Sequence, residues 1–302
     1  MSCLIRSISA RDGMKLVIVL CACACAGSPG PKEPVADAGR AVRLQIGGLE
    51  AFALADGHVV VPNDATVLGV GRQPSEIADV LAAAGLSRDE IRLDIQTMLV
   101  TAGDRVILFD AGGGDMVPEA GQLMKSLALA KVAPAAVTDI FISHGHGDHV
   151  GGLVTKDNAL AFPAATIHMS APEWTAFQAN TDEDSKRFTA VIGPKVTPFE
   201  PGAQVLPVVK AVATPGHTPG HSSYEIGTGA DKVFFLGDVA HHFVISVQRP
   251  AWSVGVDADQ AAADTMRQQT LAKLAADHTR VFAGHFPFPG IGQVAAEGWK
   301  AE

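Results

Sequence analysis

An α/β fold built in layers is predicted by two observations on the sequence. Short apolar runs of strand character alternate with stretches of helical spacing along most of the chain, the pattern of sheets covered by helices. Several of those strand-like runs also end on a histidine or aspartate: Ser143 leads to His144, Ala213 to His217, Leu236 to Asp238 and Ala283 to His285. Loops at strand ends, held by a rigid sheet, are where reactive groups are usually mounted. With 302 residues, 47% of them hydrophobic, the chain is long enough to bury one large core.

Taken in order, "VILFDAGGG" (106–114) is a buried strand running into a glycine loop, and "GQLMKSLALAKV" (121–132) has helical spacing of Leu and Met. "TDIFIS" (138–143) is a strand that stops at His144. "ATIHMS" (165–170) is a strand and "APEWTAFQA" (171–179) a helix. "VVKAVATPGH" (208–217), "HSSYEIG" (221–227) and "KVFFLGD" (232–238) are three further strands. "DADQAAADTMRQQTLAKLAADH" (257–278) is a long amphipathic helix, and "RVFAGH" (280–285) a last strand.

Upstream of these elements, Met14-Lys15 followed by "LVIVLCACACAG" has the basic start, short apolar run and small-residue end of a secretory signal. Residues 1–26 are therefore expected to be a leader, with Met14 a candidate start, and the protein to be exported, periplasmic or secreted. "LCAC" also resembles a lipobox with Cys23 as the lipidated residue, against simple cleavage near Ala26. The Pro/Gly-rich stretch "SPGPKEPVADAG" lies within an expected linker over 27–41, and a catalytic domain is expected over 42–302. All four cysteines, Cys3, Cys21, Cys23 and Cys25, lie in the leader. Any metal bound by the domain must therefore be held by histidine and carboxylate. A net charge of −9 argues against a nucleic-acid partner, which needs a basic stripe.

The chemistry concentrates in "SHGHGDHVGG" (143–152). A catalytic zinc-like ion takes about four N/O ligands at roughly 2.0–2.2 Å, one of them water, so two ions need about six or seven protein donors. The candidates are His144, His146, Asp148, His149, His217, Asp238 and His285. Gly145 and Gly147 let the backbone fold tightly between the donors, and Gly151 and Gly152 let the following segment pack close. Single histidines such as His58, His168 and His278 receive no role. His221 is expected to be structural, and Asp110 to orient a histidine or cap a turn.

"HGHGDH" (144–149) matches the H-x-H-x-D-H motif of the metallo-β-lactamase-fold hydrolases, and "VILFDAGGG", "TPGHTPGHS", "FFLGD" and "FAGH" resemble that family's other motifs in the right order. The resemblance implies a four-layer αββα sandwich with a dinuclear site at the edge of the sheets. It implies that His144, His146 and His217 hold one ion, that Asp148, His149 and His285 hold the other, and that Asp238 bridges. The cofactors implied are two divalent ions, zinc first, with Mn, Co or Fe accepted by the same donors. A water bridging the ions and deprotonated near neutral pH would be the nucleophile.

Within the family, the cysteine-containing lactamase class places Cys where Asp238 stands. The acyl-homoserine lactonases carry a tyrosine at the position of His241. "GDVAHHFVISVQRPAW" (237–252) and "GHFPFPGIG" (284–292) resemble the branch containing methyl parathion hydrolase. The expected function is hydrolysis of an ester, lactone or phosphotriester in a small-molecule substrate, with Asp148 and His241 as catalytic residues beside the metals. The alternatives are a β-lactam hydrolase and a metal-holding binding domain without turnover. Phe243, Trp252, Phe286 and Phe288 are candidates for an apolar substrate wall, and "HHFVISV" (241–247) for a homodimer face.

Overall fold

The computed structural model describes residues 39–229 and 231–302. The expected leader with Cys23, and the linker through residue 38, lie outside the described residues. The first half of the chain forms β1 (Ala41–Ile46), β2 (Leu49–Pro62), β3 (Leu68–Val70), β4 (Glu90–Ala102), β5 (Arg105–Phe109), β6 (Asp139–Phe141), β7 (Thr166–Ser170) and β8 (Val196–Phe199). The second half forms β9 (Gln204–Leu206), β10 (Val209–Ala213), β11 (Ser222–Ile226), β12 (Val233–Phe235), β13 (Ser253–Val254), β14 (Arg280–Phe282), β15 (Ile291–Ala295) and β16 (Gly298–Ala301). They assemble into two seven-stranded sheets, ordered β1-β2-β4-β5-β6-β7-β8 and β16-β15-β14-β12-β11-β10-β9, with β3 and β13 paired as a separate ribbon. Both sheets are mixed: β5 through β8 run parallel, and so do β12 and β14.

Alternation inside the short strands decides the layering, because successive side chains point to opposite faces. Ile107 and Phe109 of β5 face Val233 and Phe235 of β12 in a core between the sheets. Leu108, between them, turns outward to meet α2 (Leu123–Leu129) through Leu123 and Leu127. On the other flank Phe234 and Val281 turn outward to Leu271 and Leu274. Those two leucines lie on the last long helix (Gln260–Ala276). The result is the αββα order of layers implied by the resemblance.

Helix starts follow local rules. The helix Ala171–Ala179 coincides with its sequence expectation, because Ser170 accepts from the Glu173 N–H and Pro172 sits in the first turn. The last helix begins at Gln260 rather than at the expected Asp257, since Asp259 is the residue that caps it. Asp257 is drawn away to a histidine instead.

The two sheets are tied across the core by the chain's single tyrosine. Tyr224 is fully buried, and its hydroxyl donates to the Ile142 carbonyl at 2.6 Å, one residue before Ser143 and the histidine loop. Tyr224→Phe removes that bond and leaves a buried carbonyl without its donor. It is expected to lower the unfolding free energy by about 1–2 kcal/mol. Urea denaturation followed by tryptophan fluorescence measures this, and an unchanged midpoint with unchanged slope would show that the tie contributes nothing.

Candidate metal centre

Each of the seven candidate donors stands just beyond the end of a strand, at one edge of the sandwich. His144 is the third residue after β6, His217 lies in the turn after β10, Asp238 follows β12, and His285 follows β14. Asp148 and His149 sit on one helical turn, Gly147–Val150, for which His146 is the N-cap residue. Glycine is required where this loop meets its neighbours. A Cβ on Gly151 would lie 2.0 Å from the Gly113 carbonyl oxygen, and one on Gly145 would lie 2.6 Å from the Phe177 ring.

The donors converge in two groups. His144 Nε2, His146 Nδ1 and His217 Nε2 lie 2.9 to 3.1 Å from one another. His149 Nε2 and His285 Nε2 are 3.3 Å apart, and Asp148 Oδ2 is 3.6 and 3.4 Å from them. Asp238 stands between the groups and divides its oxygens. Its Oδ2 is 3.7 Å from His144 and 3.4 Å from His217, while its Oδ1 is 3.3 Å from His149 and 3.2 Å from His285. A tetrahedral ion with bonds of roughly 2.0–2.1 Å spaces its donors by about 3.3 Å, so both groups fit a divalent cation. The chemistry of the donors agrees, being imidazole and carboxylate throughout, and Asp238 Oδ1 is buried without a hydrogen-bond partner.

The sequence profile of the metallo-beta-lactamase superfamily matches residues 92–285, a span that contains all seven donors. The chain belongs to this superfamily. Among solved structures, the dizinc quorum-quenching lactonase AidC, in complex with a product, is 29% identical with a TM-score of 0.83. That match covers 88% of this chain and 98% of the other. The hydrolase AbOPH of the beta lactamase superfamily is 26% identical with a TM-score of 0.78, over 88% and 98%. Among curated proteins, Metallo-beta-lactamase domain-containing protein 1 of Xenopus laevis is 36% identical over 118 residues. A hydroxyacylglutathione hydrolase of Salmonella typhi is 35% identical over 124 residues. These matches span only 43% and 38% of those relatives' lengths, and 39% and 40% of this chain.

In this member of the superfamily, four of the histidines are aimed by a bond at the opposite ring nitrogen. His285 Nδ1 donates to the Asp94 carbonyl at 2.8 Å, which fixes its tautomer because a carbonyl can only accept. His149 Nδ1 bonds Asp110 at 2.7 Å and His217 Nδ1 bonds Asp257 at 2.8 Å. His144 Nδ1 lies 3.0 Å from the Ser143 hydroxyl, which itself donates to Asp110 at 2.7 Å. In the neutral form of the ring, which is the form that binds a cation, each arrangement leaves an Nε2 lone pair pointing into the cluster. Asp110 thus orients a histidine, as the sequence suggested. His221 accepts from the Asp238 N–H and takes no part in the donor groups, and burial holds its pKa down at about 4.

Electrostatics differs between the two groups. Burial, reinforced by neighbouring rings, depresses His144 and His217 far below the ordinary imidazole range. Burial opposes charge at His149 and His285 too, but there Asp238 and Asp148 prevail. His149 is raised well above its usual value and His285 is pushed up to about 9. Without a cation these two rings hold protons at neutral pH.

Apart from Asp110, sequence reasoning missed the groups that hold the donors. Asp257 belongs to no motif, and it is gripped in turn by the fully buried Arg267 at 3.1 Å. Glu173 and the Asp94 carbonyl were likewise invisible. The proposed aromatic wall is not what the structure shows. Phe243 and Phe286 belong to the cluster under the last helix, with Phe286 edge-on to Trp299. Trp252 packs beside the β3–β13 ribbon and Phe288 against the core between the sheets. Of the single histidines given no role, His58 pairs with Glu119 and His168 with Asp139.

Two outcomes follow for metal binding. Cation entry must displace the protons on His149 and His285, both held above the usual imidazole range, so affinity at that group is expected to rise with pH through about 9, where His285 loses its proton. Zinc titration by calorimetry in buffers of different ionisation enthalpy reads the released protons, and an enthalpy independent of buffer would refute it. Asp257→Asn weakens the bond that aims His217 and is expected to reduce zinc affinity 10–100-fold. Competition with a chromophoric chelator measures the loss.

Proposed function

We propose that this metal-dependent hydrolase of the metallo-beta-lactamase superfamily cleaves an ester, lactone or phosphotriester in a small, uncharged substrate. The observation that carries the reading is the division of the Asp238 oxygens between two donor groups, which suits a bridged pair of ions. His144, His146 and His217 are the proposed ligands of one, and Asp148, His149 and His285 of the other. Divalent cations held there would polarise the substrate's carbonyl or phosphoryl oxygen, making its carbon or phosphorus electrophilic, and would make water nucleophilic near neutral pH.

The residues around them have separate tasks. His144, His149, His217, Asp238 and His285 are buried, whereas the Asp148 side chain keeps 22% of its exposure. Substrate is therefore proposed to enter on the side where Asp148 and the half-buried His146 are open, and the Asp148 carboxylate would take the proton of the attacking water on the oxygen that does not face the cation. His241 is buried, neither ring nitrogen has a hydrogen-bond partner, and its Nε2 stands 3.3 Å from Asp238 Oδ2. Its ring lies parallel to that of His285 at 6.1 Å and edge-on to that of His217 at 4.9 Å, beside one member of each group. His241 is the proposed donor to the departing oxygen. The likeness to the lactonase AidC favours a lactone among the three bond types. Export from the cell belongs to the same proposal and rests on residues 1–26.

A panel of an acyl-homoserine lactone, a p-nitrophenyl ester, a paraoxon-like triester, a thioester and nitrocefin tests the assignment. Lactone, ester or triester turnover is expected, lost on chelation, restored by Zn²⁺, and reduced by at least 100-fold in Asp148→Ala. His241→Phe is expected to lower kcat more than it raises KM. Dominant nitrocefin turnover would move the assignment to β-lactams. Two bound ions with no turnover of any substrate would leave a binding domain.

A further inference from the structure

Glu173 lies outside every motif and touches none of the seven donors, yet its carboxylate is buried beside them, with the residue 3% exposed. Three neutral donors serve it. The Gly145 N–H bonds Oε1 at 2.8 Å, and the Thr218 hydroxyl and the Gly220 N–H bond Oε2 at 2.6 and 3.0 Å. Gly145 is the residue between His144 and His146, and Thr218 directly follows His217. One carboxylate therefore grips both chain segments that present His144, His146 and His217. Glu173 does not serve the second donor group, which is held by the Asp94 carbonyl and by Asp110, the latter also reaching His144 through Ser143.

We infer that Glu173 is a positioning residue for one metal position alone, setting the spacing of the His144, His146 and His217 nitrogens through the backbone on either side of them. This rests on the two-ion reading above.

The packing leaves the carboxylate little freedom to do otherwise. Ser170 accepts from the Glu173 N–H and donates to the Gly220 carbonyl at 2.5 Å, pinning the helix start to the segment after His217. A Cβ on Gly220 would come within 2.1 Å of the Glu173 nitrogen. Burial raises the Glu173 carboxyl's pKa, and the three donors pull it back toward the charged form. Only that form accepts at both oxygens at once. A glutamine of the same volume presents NH2 to one side, where it meets either the Gly145 N–H or the Gly220 N–H, donor against donor.

The test is cobalt titration of the metal-free full chain, followed by visible absorbance, on wild type, Glu173→Gln, Thr218→Val and His144→Ala. His144→Ala marks which step of the titration belongs to the first position. Glu173→Gln is expected to weaken that same step tenfold or more, alter its absorbance band, and leave the other step within twofold. Thr218→Val, which removes one of the three donors and keeps the charge, is expected to weaken the same step by a smaller factor. It carries the test if Glu173→Gln does not fold. Two unchanged steps, or equal loss at both, in a foldable variant would overturn the inference. A wild type that takes up fewer than two ions would instead overturn the two-ion reading and this inference with it.

Discussion

Everything at this edge of the molecule depends on one uncomfortable constraint: five imidazoles and two carboxylates must be held with their donor atoms facing one another at about 3 Å. Lone pairs directed at lone pairs in a buried space repel, and burial disfavours charge on any of them. His144 and His217 are pressed toward the neutral form, while protons trapped between carboxylates keep His149 and His285 charged. Such a cluster is stable only when its outer side is firmly bonded, and a cation is the species that relieves its inner side.

The fold supplies the outer side from many directions. Strand ends deliver the donors, and bonds from distant elements then aim them. The β4 carbonyl of Asp94 serves His285, Asp110 after β5 serves His149 and Ser143, and Asp257 before the last helix serves His217. Arg267 ties Asp257 to that helix and to the carbonyls of Val239 and Trp252. Tyr224 links the two sheets one step from the histidine loop. The rigidity that binding requires is thus distributed over both halves of the sandwich, an arrangement in which metal binding and folding are expected to be linked.

The donors themselves were legible because their chemistry is local. Three histidines and an aspartate in six positions have no packing explanation, and His217, Asp238 and His285 each close a strand-like run. The layers were legible from apolar alternation and helical spacing. Of the supporting carboxylates only Asp110, at the end of a strand-like run, was legible; the others meet their partners only across the fold, with Asp257 and His217 40 positions apart and Glu173 and Gly220 47. Sequence proximity also misled. Phe286 directly follows His285, but the two lie in the turn after β14, where the chain sends the phenylalanine into the helix-covered cluster while the histidine goes to the site.

The central claim is that Asp238 stands between two cations, each with its own set of donors. Anomalous diffraction at the zinc edge, from crystals of the zinc-loaded protein, tests it most directly. The account requires two peaks about 3.5–4 Å apart, one among His144, His146 and His217 and the other among Asp148, His149 and His285, with Asp238 bonded to both. A single peak, or a second ion held by any other residues, would contradict it.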